Sequence, residues 1–179
     1  MKTLSRMFLM AVILGLALTV QPVCVCAQAR QFGEYDVKAV FMANFFKFVE
    51  WPSPVREYRL CIYGSDPFGQ SVRTLEGMKV RGTMLEVRRP SSLRALGDCH
   101  VLFISSSERR RIRAILDAVR GMDLLTVGDT EGYAQEGVML NFYIEASKVK
   151  FEINLNSIRS SRIAVSSQLL KLGRMVGDE

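Results

Sequence analysis

Residues 99–129, CHVLFISSSERRRIRAILDAVRGMDLLTVGD, decide the fold class. Cys99 to Ser105 is short and almost continuously apolar, the pattern of a strand covered on both faces. Ser106 or Ser107 then offers a hydroxyl cap to a helix in which Ile112, Ile115, Leu116 and Val119 recur at helical spacing, and Gly121 closes it. Leu124 to Val127 is a second buried strand. Strand, helix and strand in that order make a parallel crossover, so an α/β core is expected.

The flanking segments extend the alternation. Arg59 to Gly64 reads as a strand, followed by a helix with Asp66 as N-cap, Pro67 at its first position, Phe68, Val72 and Leu75 inward, and Gly77 at its stop. Met84 to Arg89 reads as a strand ended by Pro90, and Ser91 to Leu96 as at most two helical turns. Upstream, Glu34 to Val49 reads as a helix with Val37, Phe41, Asn44, Phe45 and Phe48 on one wide face, ended by Trp51-Pro52-Ser53-Pro54. Its aromatic content, Phe41, Phe45, Phe46, Phe48 and Trp51, exceeds what one stripe buries. Downstream, Val138 to Ile144 and Lys148 to Asn154 flank Glu145-Ala146-Ser147 as a β-hairpin. Its second arm alternates Val149, Phe151 and Ile153 with Lys150, Glu152 and Asn154, which predicts one wet face. A short strand, Arg162 to Val165, and a helix with Leu169, Leu172 and Val176 inward complete the chain. The expected architecture is a single compact α/β domain over residues 30–179, with a mixed, largely parallel sheet flanked by helices and a late antiparallel hairpin.

Residues 1–29 read as a cleaved signal peptide: Lys2 and Arg6, an apolar run from Met7 to Val20, and Ala27-Gln28-Ala29 at the cut. A run of about 14 residues is short for a membrane span, and no stop-transfer flank follows; the alternative is an uncleaved anchor. Neither Cys24 nor Cys26 follows a small residue, which argues against lipoprotein attachment. The expected location is the periplasm. Of the 24 basic residues, Lys2 and Arg6 leave with the signal, so 22 face 18 acidic ones and the mature charge is about +4. That balance, in an exported chain, argues against nucleic acid as a partner.

Two of the four cysteines leave with the signal. Cys61 and Cys99 remain, in an oxidising compartment where such a pair usually bridges. A doubly wound order makes their strands neighbours and favours the disulfide; two buried thiols are the alternative.

Catalytic chemistry is sparse. His100 is the one histidine, so neither a Ser-His-Asp triad nor a multi-histidine metal site can be assembled. Its neighbour Cys99 points to the opposite face of a strand, which spoils a Cys–His dyad. Gly64-Ser65-Asp66-Pro67-Phe68-Gly69 sits where phosphate loops occur but lacks their Lys-Ser/Thr ending. Arg109, Arg110, Arg111 and Arg113 read as the solvated side of an amphipathic helix, with an acidic partner or anionic lipid as the functional alternative. Asp129 and Glu131 lie near a strand end, where α/β ligand sites gather and turn caps also occur. No catalytic residue, metal site or cofactor is expected. Gly64, Ser65, Asp66, Ser105 and Asp129 are the candidate ligand-binding residues, and Phe45, Phe46 and Trp51 the candidate partner anchors.

Four stretches together resemble the periplasmic YfiR-like family: residues 37–52 (VKAVFMANFFKFVEWP), 60–69 (LCIYGSDPFG), 99–105 (CHVLFIS) and 149–170, the last containing FEINL and SSQLL. The resemblance implies a regulator rather than an enzyme. Its best-known members are repressors that bind the periplasmic sensing domain of an inner-membrane YfiN-type diguanylate cyclase and hold cyclic-di-GMP low. Redox state can control that repression, and an outer-membrane lipoprotein can sequester the repressor. By position, Cys61 and Cys99 match a family pair that bridges. A second cysteine pair of some members has no counterpart here after Cys99. The expectation is therefore an exported regulatory binding protein, with a homodimer as a further assembly suggested by the aromatic excess. The alternative is a periplasmic small-ligand-binding module that feeds a different membrane receptor or kinase.

Overall fold

The structure, a computed structural model, describes residues 33–177, and the signal-peptide reading lies outside them. The strands are β1 Val49–Glu50, β2 Tyr58–Tyr63, β3 Lys79–Val80, β4 Thr83–Arg88, β5 Val101–Ile104, β6 Leu125–Gly128, β7 Leu140–Glu145, β8 Lys148–Asn154, β9 Ala164–Val165 and β10 Arg174–Val176. The helices are α1 Glu34–Phe48, α2 Gln70–Arg73, α3 Ile112–Ala118, α4 Tyr133–Glu136, α5 Leu155–Arg159 and α6 Ser167–Leu170. Eight strands form one sheet in the order β10-β8-β7-β6-β5-β2-β4-β3, parallel except at the β3–β4 and β7–β8 hairpins. The mixed, largely parallel α/β architecture with its late hairpin is thus as expected, and β1 pairs separately with β9.

Alternation along the central strands sorts their side chains into two cores. Leu60, Ile62, Val101, Phe103, Leu125 and Val127 face α1 and α2. Cys61, Tyr63, Leu102 and Ile104 face Ile112 and Ile115 of α3 and Tyr133 of α4. Both faces are covered, which is why β5 and β6 read as unbroken apolar runs.

Several local expectations are corrected. The helix after β2 begins at Gln70, not at Asp66; the Asp66 carboxylate instead accepts from the Phe68 N–H at 2.8 Å as a turn and pairs with Arg89 at 2.7 Å. The segment after β5 is a 3₁₀ turn over Ser106–Arg111 before α3, capped by Ser105 rather than by Ser106 or Ser107. The final helix is one turn, and Arg174–Val176 is a strand that extends the sheet, so Leu172 lies exposed. The predicted wet face of β8 is dry at Glu152 and Asn154. Glu152 is paired with Arg174, while Asn154 donates to the Ala134 carbonyl at 2.7 Å and caps α5 through the Ser157 N–H. Arg174 on the adjacent strand β10, and Ala134 and Ser157 on α4 and α5, supply polar partners that strand alternation does not reveal.

Cys61 and Cys99 are bridged, with 5.8 Å between their Cα atoms. Cys99 sits in the turn before β5, beside the start of β2. Cys61 is 0% and Cys99 4% exposed, so thiol reagents reach the bridge only after local opening. The loop it closes spans 38 positions, for which chain entropy predicts about 4 kcal/mol of stabilisation. The Cys61→Ala/Cys99→Ala double variant is expected to lose stability of about that size in urea titrations. The native protein should keep its bridge in dithiothreitol until denaturant is added.

Candidate functional site

Helix α1 carries two apolar faces. Acidic Glu34 and Asp36 occupy its first turn, and the Gly33 N–H donates to the Asp36 carboxylate at 2.9 Å. The inner face consists of Ala39, Met42, Ala43, Phe45 and Phe46, all buried. The stripe read from sequence, through Val37, Phe41, Asn44, Phe45 and Phe48, is divided: Phe45 belongs to the inner face, and the other four lie about one position round the helix and are only half covered. Val40 between its members is 57% exposed.

This outer face is continuous with its flanks. Phe41 lies between two shallow grooves, one shared with Val37, Ile144 and Val149 near the hairpin tip, the other with Phe48, Leu169 and Leu172 by α6. Its ring rests on an aromatic floor, 5.8 Å from Phe151 and 5.9 Å from Phe142. Leu172 stands at 64% exposure on the far rim. The surface is therefore apolar, rigidly supported from below and bordered by Glu34, Lys47 and Lys148, the anatomy of a docking patch.

The candidate partner anchors divide. Phe45 is 1% and Phe46 0% exposed: both are core, and neither is available to a partner. Phe45 stacks on Phe142 at 5.7 Å, and Phe46 lies 5.8 Å from Trp51. Trp51 is half-buried and borders a cleft with Arg59, Asp98 and His100. Sequence reasoning missed Val40, Ile144 and Leu172; the available signal was that α1 has too much apolar surface for a single stripe.

The candidate ligand residues divide as well. Chain order reverses between β2 and β5, and their C-terminal ends form the switch point where α/β ligands bind. Here that crevice is filled from within. The Ser65 N–H donates to Ser107 Oγ at 3.0 Å, and a β-carbon on Gly64 would lie 2.5 Å from that same oxygen. The Ser105 carbonyl accepts from Tyr133 Oη at 3.0 Å. Asp129 stands apart, beyond β6, where its Oδ2 accepts from Lys38 Nζ at 2.8 Å and Tyr35 Oη at 3.0 Å. Lys38 is buried and also pairs with Glu34, so this network pins α1 to the end of β6. Burial first, then the Asp129 charge and hydrogen bond, push the Tyr35 phenol up to about 12.

His100 is structural. Its Nδ1 accepts from the Arg59 N–H at 3.1 Å, and its ring meets Trp51 and Tyr58 edge-on. Burial, and then the Arg59 guanidinium, push its pKa below the ordinary 6.5 against the opposing pull of Asp98.

A model of the YfiR/HmsC-like family matches residues 35–174, from the first turn of α1 to the start of β10. The chain belongs to the YfiR/HmsC-like family. Its members are periplasmic regulators of diguanylate cyclase signalling and are not catalytic. A crystal structure of a conserved domain protein from Vibrio cholerae O1 biovar El Tor strain N16961 matches with a TM-score of 0.57 at 9% identity, over 80% of this chain. The match spans 60% of that protein's chain, and at this identity it speaks for the fold alone. Among the described residues, no helix is long and apolar enough to cross a membrane.

Phe46→Ala is expected to lose about 3–5 kcal/mol in chemical denaturation, the mark of a core ring. The unfolded chain protonates His100 before the folded chain does, so the stabilisation from neutral His100 is full above about pH 6.5 and declines as pH falls through that value. The difference in Tm between the wild type and His100→Gln should accordingly shrink between about pH 7.5 and about pH 5.5.

Proposed function

We propose that this chain is an exported repressor that sets the outer face of α1 on the periplasmic sensor domain of an inner-membrane diguanylate cyclase and so keeps cyclic-di-GMP low. The observation that supports the reading is the half-exposed apolar surface centred on Phe41, on a helix whose inner face is already committed to the core. Family membership supplies the class of occupant. Exposed aliphatic side chains around a pre-packed aromatic ring give association a large apolar gain at little entropic cost. The Cys61–Cys99 bridge lies in the opposite core, too enclosed to serve as an exposed redox contact. In this reading it holds the fold on which the docking face sits.

Val40→Glu and Leu172→Glu place a charge on this face without touching the core. In a strain lacking the chromosomal copy, plasmid-borne wild type should lower cellular cyclic-di-GMP, and each variant should fail to do so while its Tm stays within about 4 °C of wild type. A buried charge at an interface centre costs at least about 2 kcal/mol, roughly 30-fold in affinity. Variants that repress as well as wild type would sink the assignment of this face. Capture by an outer-membrane lipoprotein, or self-association, lost in the same variants would reassign the face to that occupant.

A further inference from the structure

Residues 51–57 join β1 to β2 with little to hold them. Pro52 and Pro54 have no N–H to give, and among the described residues the stretch makes no backbone-to-backbone hydrogen bond. Pro52, Ser53, Pro54 and Arg56 are exposed. The inward contacts are Val55, against the α1-side core, and the Trp51 ring, which lies 5.8 Å from Phe46, 5.5 Å from Tyr58 and 5.6 Å from His100. A segment with few backbone bonds and few apolar contacts opens at small cost, so the residues that clasp it decide its state.

His100 is the titratable member of that clasp. It stands at the foot of β5, where its N–H donates to the Arg59 carbonyl at 2.9 Å and its carbonyl accepts from the Leu125 N–H at 2.8 Å. Its Nδ1 accepts from the Arg59 N–H at 3.1 Å, so the neutral ring carries its proton on Nε2. A second proton enters at Nδ1 and faces the Arg59 N–H. Two donors cannot bond, and the Arg59 N–H, two residues beyond the segment, loses its partner.

The groups around the ring do not relieve this. The Arg59 guanidinium of β2, itself held by Glu57 at 3.3 Å and by Glu86 of β4 at 3.4 Å, repels the new charge. Tyr58 of the same strand and Trp51 present their rings to it edge-on. Asp98, in the turn before β5, attracts it but is 74% exposed. Across a cleft of about 430 Å³, Asp123 and Arg162 neutralise one another at 2.8 Å. Burial and Arg59 therefore outweigh Asp98 and favour the neutral ring.

We infer that His100 is an acid-operated clasp: its protonation releases the 51–57 segment from the foot of the sheet and turns the Trp51 ring out to water while both cores stay folded. The released imidazole is hydrated and binds a proton more readily than the clasped one. Release is therefore suppressed above about pH 6.5 and grows by up to about tenfold per pH unit below it. The device does not rest on the docking proposal, since none of its residues lies on the outer face of α1.

Trp51 is the one tryptophan of the chain, so its emission reports on this segment alone. The experiment is acrylamide quenching of that emission in the purified protein, stepped from about pH 7.5 to about pH 5. The quenching constant is expected to rise at least about twofold, with a red shift in emission and an unchanged far-UV circular dichroism spectrum. It should stay flat in His100→Asn, whose Oδ1 falls at the place of Nδ1 and accepts from the Arg59 N–H without titrating. A quenching constant that ignores pH in the wild type, the same rise in His100→Asn, or a rise that comes with loss of the far-UV signal would each overturn the inference. The wild-type titration stands as a test even where the variant proves unstable.

Discussion

A helix with apolar side chains around most of its circumference can turn only one side to a given core, and α1 is such a helix. Its inner residues, from Ala39 to Phe46, close the larger of the two cores. Its buried Lys38 ties it to Asp129 at the end of β6. Once those contacts are made, Val37, Val40, Phe41 and Phe48 have nowhere to go. The exposed surface is thus a direct result of how α1 seats on the sheet, and the geometry of the proposed docking face depends on that seating.

The two sides of the sheet have different work. The α1 side is uniformly apolar, and its aromatic rings interlock from Phe41 through Phe45 to Phe142 and Phe151. On the other side, α3 and α4 cover only part of the sheet; beyond them β7, β8 and β10 present Asn141, Glu152 and Arg174. Burying such groups is tolerable only where each finds a partner. Glu152 and Arg174 pair with one another, while Asn141 Oδ1 is buried without a partner among the described residues.

Much of the fold was legible in the chain. The run at residues 101–104 and the alternation of β8 announced strands, and Cys61 with Cys99 announced neighbours, because these signals are local or nearly so. What was misread depended on distant partners. Phe45 and Phe46 are indistinguishable in type from surface anchors, and their burial is decided by Phe142, Phe151 and Tyr58, far along the chain. The ligand expectation at Gly64 and Ser105 followed a sound rule for open α/β sheets. Here Ser107 folds back into that crevice, and turn geometry of this kind is not encoded in residue type.

By itself, the sequence determined the α/β class, the placement of most strands and family membership, and favoured a bridge between Cys61 and Cys99 that the structure then showed, because periodicity, turn residues and motif order are properties of the chain. Only the tertiary structure decided which side of α1 is core and which is surface, and that Glu152 and Asn154 are buried. Those outcomes depend on what packs against each face and on which strand lies alongside. An alternation of two or of 3.6 residues gives the direction of a side chain and says nothing of what it meets.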